Sequence, residues 1–127
     1  MTPDAQVLAH LFVYGTLRPG DVRWPFLEPW VLDRGLVDAV PGRLFDTGLE
    51  YPAAIFGPRG LVIGRTYELR RETLHEALRV IDDEEGTVLG LYRRVQVDTS
   101  SGRRAWAYEY GAGLELTPIA SGDWFER

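Results

Sequence analysis

LFVYGTLRPG, residues 11–20, is the stretch from which the fold is read. Leu11, Phe12, Val13 and Tyr14 form a compact apolar and aromatic run, the pattern of a buried strand. The run stops at Gly15, and Pro19-Gly20 follow as turn punctuation. A strand that ends in Gly-Thr leaves backbone N–H groups without a ladder partner, and Gly15 lets a ligand come close to the main chain. The loop is therefore expected to cradle an anion or a carbonyl oxygen, provided the rest of the chain supplies a chemical partner.

Downstream, DVRWPFLEPWVL (21–32) holds two prolines and two tryptophans and allows a helical turn or two at most. Trp24, Phe26, Leu27 and Trp30 are expected to lie as an apolar lid over one edge of the core. GLVDAVPGRLF (35–45) reads as a strand broken or bulged at Pro41-Gly42. Residues 46–60 are rich in Gly and Pro and read as an irregular excursion around a short Ala-Ala-Ile-Phe strand, with Tyr51 held extended by Pro52. LVIGRTYELR (61–70) is a clear strand. RETLHEALRVI (71–81) is the one convincing helix: Leu74, Leu78 and Ile81, with Ala77, share a face, while His75, Glu76 and Arg79 fall elsewhere. Gly86 is its expected terminator. YRRVQVD (92–98) and RRAWAYEY (103–110) read as a hairpin around Thr99–Gly102, with Trp106, Tyr108 and Tyr110 on one face. The tail is expected to be irregular, with Trp124-Phe125 packed back on the body. Five or six strands and one long helix in 127 residues make a single α+β domain (1–127), with a curved or barrel-like sheet around a small cavity.

Composition narrows the chemistry. Hydrophobic residues at 45% and charged residues at 26% are ordinary globular composition and argue against a disordered chain. The net charge of −5 argues against nucleic acid or an anionic membrane as partner. All 14 basic residues are arginine, which excludes a Schiff-base or P-loop lysine. Absent cysteine removes disulfides, thiol nucleophiles and thiolate metal sites. His10 and His75 are far apart, with no carboxylate at metal-motif spacing, so no metal site is expected. MTPDAQVLAH lacks a basic n-region, and no run approaches the roughly 18 apolar residues of a spanning helix, so a cytoplasmic protein is expected.

Four consecutive carboxylates, Asp82 to Glu85, sit where the helix end is already partially negative, which disfavours each by roughly 0.3–1 kcal/mol. Three of them are expected to be solvated. Continuing the Leu74, Leu78, Ile81 face reaches Glu84 and Glu85, and register alone does not separate the two. A carboxylate turned inward there would have a raised pKa and could exchange protons near neutral pH. Neither a Ser/His/Asp arrangement nor a catalytic carboxylate pair stands out.

Taken together, FVYGTLRPG, PGRLFDTGLEYPAAI, VIGRTYEL, IDDEEG…LYRRVQV, AWAYEY and IASGDW resemble the γ-glutamylcyclotransferase-like, or AIG2-like, family along nearly the whole chain. The resemblance implies a small mixed barrel of five to six strands with one main flanking helix, and an enzyme without metal or organic cofactor. It implies that the glutamate before the Gly of Asp-x-x-Glu-Gly, here Glu85, is the catalytic acid/base. It implies that Tyr14, Gly15, Thr16 and Leu17 form the binding loop for the γ-glutamyl group. Members acting on γ-glutamyl amino acids often carry an Asn before the Leu of this loop; its absence here resembles the γ-glutamylamine branch. The expected reaction is closure of a γ-glutamyl compound to 5-oxoproline with release of an amine. Tyr51 and Tyr92 are then expected as wall or hydrogen-bonding residues, and Arg18 as a surface loop arginine. The rival readings are a non-catalytic small-molecule binding module and a hydrolase of γ-glutamyl amide bonds.

Overall fold

A strand at the centre of the sheet explains why residues 11–14 are apolar without alternation. The computed structural model describes residues 8–49, 51–85, 92–112 and 114–127. β1 (His10–Val13) lies between β3 (Pro52–Glu68), antiparallel to it, and β5 (Arg104–Tyr110), parallel to it through Leu11 and Trp106. Leu11 and Val13 point into one apolar cluster, and Phe12 and Tyr14 into another on the opposite face. With β2 (Leu36–Asp46), β4 (Tyr92–Asp98) and β6 (Thr117–Ile119) the sheet has six strands, in the order β4-β5-β1-β3-β2-β6.

Curvature comes from the β2–β3 pair. Its register runs to Pro41–Leu61 and resumes at Gly42–Phe56, so residues 57–60 bulge out of β3. The expected excursion at 46–60 and the strand at 61–70 are thus one 17-residue strand with an interruption. A Cβ at Gly42 would lie 2.8 Å from the Ile55 carbonyl oxygen, and one at Gly60 would lie 2.5 Å from that of Gly42. Only glycine lets the two backbones press together at the bend.

The bend carries residues 52–56 across to the other end of the sheet. There the Phe56 N–H donates to Glu109 Oε2 at 2.9 Å, and the Tyr92 hydroxyl to the Pro52 carbonyl at 2.7 Å. At the opposite rim the β4–β5 turn docks on β2: Ser100 N–H donates to the Ala39 carbonyl, and Asp38 accepts from the Ser101 N–H and hydroxyl. The sheet is a curled half-barrel, tied across by these contacts as well as by ladder bonds between neighbouring strands.

α2 (Leu74–Glu84) buries Ala77, Leu78 and Ile81 and exposes His75, Glu76 and Arg79, as the periodicity predicts. It starts three residues later than expected, because residues 71–73 are taken up in a turn closed by Leu74 N–H to the Arg71 carbonyl. It also runs three residues further, into the acidic stretch. The expected terminator Gly86 lies outside the described residues. α1 (Trp24–Leu27) and a 3₁₀ turn (Glu28–Trp30) bury Trp24 and Leu27. Phe26 is 49% exposed, so it is not part of the lid. The tail is more regular than expected: β6 pairs with Leu44–Asp46 at the sheet edge, where Pro118 costs no ladder bond, and Trp124 is buried beyond it. Among the described residues no helix is long and apolar enough to cross a membrane.

Candidate active site

Five parts of the chain meet around a cavity of about 430 Å³: the end of β1 with the loop after it, the segment leading into β3, the C-terminal end of α2, the start of β4, and Tyr108 of β5. Tyr14, Gly15, Thr16, Tyr51, Glu85 and Tyr92, six of the seven residues expected at a site, line it. Leu17 does not. Its side chain is 1% exposed within the core, and its carbonyl accepts from the Tyr67 hydroxyl at 3.0 Å, so only its main chain can serve a ligand. The loop turns there because Leu17 is apolar enough to be drawn under Trp24 and Leu27 in the same cluster. Among the described residues, the N–H groups of Gly15, Thr16 and Leu17 meet no acceptor.

Tyr14 is a strut at the cavity floor. Its hydroxyl donates to the Tyr108 carbonyl at 2.5 Å and accepts from the Ala54 N–H at 3.3 Å, tying β1 to β5 and β3. Burial, then the nearby Glu85 charge, push its pKa well up, so it stays a neutral hydroxyl. Tyr92 is buried against Tyr51, their ring centroids 6.2 Å apart, and its pKa is likewise raised by burial and then by Tyr51 and Glu85.

Glu85 caps α2. Its N–H donates to the Ile81 carbonyl at 2.9 Å, and its φ of −84° and ψ of 1° turn the chain off the helix axis. The side chain is 15% exposed. Burial raises its pKa, the Arg23 guanidinium pulls it back, and Glu84 raises it again. The carboxyl group is thereby suited to pass between ionised and protonated forms during a reaction.

The other three acids are not all solvated, contrary to expectation. Asp82 accepts from Arg94 Nε at 2.9 Å and from the Tyr108 hydroxyl at 2.5 Å. Glu84 lies 3.6 Å from Arg23 Nη1. Asp83 alone is exposed. Pairing offsets the repulsion that made the cluster look odd, and allows the helix to continue through it.

Arg23 is the residue that sequence reasoning passed over. Its Nε donates to Thr16 Oγ1 at 2.7 Å, and its Nη2 stands 3.5 Å from Glu85 Oε1. The available signal was a lone cation inside an aromatic stretch. Arg18 is partly buried, stacks 3.9 Å over the Phe125 ring, and lines a separate recess of about 140 Å³. No group of three or more His, Asp or Glu among the described residues could hold a metal ion.

Comparison with known proteins bears on the family and the fold. The family model described as "Gamma-glutamyl cyclotransferase, AIG2-like" matches residues 11–126. The γ-L-glutamyl-butirosin B γ-glutamyl cyclotransferase of Niallia circulans is 36% identical over 111 residues, covering 81% of this chain and 67% of its own. An uncharacterised protein from Pyrococcus horikoshii superposes with a TM-score of 0.69 at 28% identity, covering 93% of this chain and 91% of its own. An AIG2-like protein of Mus musculus has the same fold, with a TM-score of 0.53 at 24% identity over 91% of this chain and 88% of its own. The chain belongs to the AIG2-like γ-glutamyl cyclotransferase family.

Proposed function

We propose that the protein converts a γ-glutamyl amine to 5-oxoproline and the free amine, with Glu85 as acid/base. The observation that carries the reading is a buried carboxyl group with a raised pKa on the wall of the cavity that Gly15 and Thr16 also line.

The substrate brings its own nucleophile. Its α-nitrogen attacks its γ-carbonyl carbon, a five-membered ring closes, and the γ-amide C–N bond breaks. Glu85 takes a proton from the α-ammonium and gives it to the leaving nitrogen as the C–N bond breaks. The second proton, shed by the ring nitrogen after closure, also ends on the released amine, which departs as its ammonium form, so no water is consumed and atoms balance. Such proton transfer contributes typically ~10²–10⁴-fold. Folding the substrate into the cyclising conformer draws on a proximity advantage with a ceiling of roughly 10⁵–10⁸ M in effective molarity. The N–H groups from Gly15 to Leu17 would hold the oxyanion that develops on the γ-carbonyl. Tyr51 and Tyr92 would form the wall against the ring. The name of the Niallia circulans relative specifies a γ-glutamyl group on butirosin B. That name, with the missing Asn in the loop, supports the amine class over amino acids.

The test is product analysis with a panel of γ-glutamyl amines and γ-glutamyl amino acids. The expected product is 5-oxoproline, with Glu85→Gln lowering turnover by about 10²–10⁴-fold. Release of glutamate instead identifies a hydrolase, binding without turnover identifies a passive module, and full activity in Glu85→Gln removes the assigned base.

A further inference from the structure

Arg23 is the one arginine among the described residues that line the large cavity. Among the described residues it is firmly anchored at one end only. The 2.7 Å bond from Nε to Thr16 Oγ1 sets the plane of the guanidinium. Its two terminal nitrogens are loosely engaged, 3.5 Å from Glu85 and 3.6 Å from Glu84, the first at the limit of a hydrogen bond and the second beyond it. A half-buried guanidinium with a fixed plane and spare donors is built to take a carboxylate in two parallel bonds.

The spacing also selects the ligand. On one α-carbon, an ammonium nitrogen and a carboxylate oxygen stand about 3 Å apart. The cation of Arg23 and the anion of Glu85 face each other across 3.5 Å. A zwitterionic α-amino-acid head can therefore replace one poor ion pair with two good ones, its carboxylate on Arg23 and its ammonium on the Glu84–Glu85 pair. We propose that Arg23 anchors the α-carboxylate of the substrate and so restricts the site to γ-amides that keep an intact α-amino-acid head. This rests on the cyclotransferase reading for the identity of the γ-amide, and it leaves the N–H groups of the Gly15–Leu17 loop for the γ-carbonyl oxygen.

The assignment is read by binding, separately from turnover. L-glutamine, the smallest γ-amide with the full head, and 4-aminobutanamide, which lacks the carboxylate, are titrated against wild type, Arg23→Gln and Arg23→Lys. Circular dichroism checks that each variant is folded. The wild type should prefer L-glutamine by about 10- to 100-fold, the range of hydrogen bonds to a charged group. Arg23→Gln should collapse that ratio towards one, and Arg23→Lys, which keeps the charge without the fork, should retain part of it. A ratio unchanged in Arg23→Gln, or a wild type indifferent to the carboxylate, overturns the assignment. Failure to form 5-oxoproline from any γ-glutamyl amine would instead end the cyclotransferase reading and leave the ratio as measured.

Discussion

Replacing Asp38 tests whether the half-barrel is held at its far rim as described. The carboxylate is 7% exposed and accepts four hydrogen bonds: Ala39 N–H at 2.9 Å and Ser101 N–H at 3.0 Å on Oδ1, Thr66 hydroxyl at 2.8 Å and Ser101 hydroxyl at 2.6 Å on Oδ2. In Asp38→Ala all four donors lose their acceptor. Ser101 is exposed and recovers water, whereas Thr66 at 0% exposure and Ala39 at 7% do not. Two stranded donors, each formerly bonded to a charged group, put the loss at about 3–5 kcal/mol. Against a total of about 5–15 kcal/mol, that leaves a marginal domain. Asp38→Asn keeps Oδ1 for the two N–H groups, and its amide can donate to hydroxyls that turn round, so it should cost about 1–2 kcal/mol.

The same carboxylate makes the stability pH-dependent. Burial works to raise the Asp38 pKa, but hydrogen bonds from Ser101, Thr66 and Ala39 outweigh it and hold the pKa below the ordinary value. A depressed folded pKa contributes stability that is fully present above the unfolded value of about 3.9 and is lost as pH falls through the folded value. The gap between wild type and Asp38→Asn in urea denaturation, followed by tryptophan fluorescence, should therefore be widest near neutral pH and narrow below about pH 4. An Ala variant within about 1 kcal/mol of wild type, or an Asn variant as costly as Ala, would refute the reasoning.

Glu85 makes a second pH prediction, of opposite sign. Burial raises its pKa despite Arg23, and a base must be ionised, so kcat/KM should fall on the acid side at a pH above the ordinary glutamate value of about 4.3. A limb at or below that value would contradict a buried base; Arg23→Gln should move the limb higher still. Gly64 is a packing test: a Cβ there would lie 2.3 Å from the Val13 carbonyl oxygen and 2.8 Å from the Phe12 ring. Gly64→Ala should cost about 3 kcal/mol by pushing β1 away, while Gly57→Ala, which meets nothing within 4 Å, should cost far less. Equal urea midpoints for the two variants would count against the close approach of β3 to β1.

The helix illustrates what local pattern can and cannot carry. Leu74, Leu78 and Ile81 repeat at helical spacing, so the burial of Leu78 and Ile81 and the partial burial of Leu74 follow from amphipathicity alone. The same register narrowed four acids to Glu84 and Glu85, and the structure has both beside Arg23. It could not foresee that Asp82 is held by Arg94 and Tyr108, because those partners stand 12 and 26 residues away. Arg23 was missed for the same reason, with 62 residues between it and Glu85. β6 escaped notice because three residues, Thr-Pro-Ile, are too few to show a period.

Composition and spacing by themselves narrowed the chemistry to be expected: without cysteine, lysine or a placed histidine, a carboxyl group was left as the expected proton carrier. Local pattern determined most of the strands, the helix face and the break at Pro41-Gly42, since each depends on neighbours within a few residues. Tertiary structure alone decided that the loop after β1 faces the end of α2, that Leu17 turns into the core, and that Arg23 bridges Thr16 and Glu85. Those contacts arise only when the sheet curls and brings together groups as far apart as Tyr14 and Tyr108, 94 residues along the chain. Burial, and with it the raised pKa of Glu85, exists only once that curl has closed.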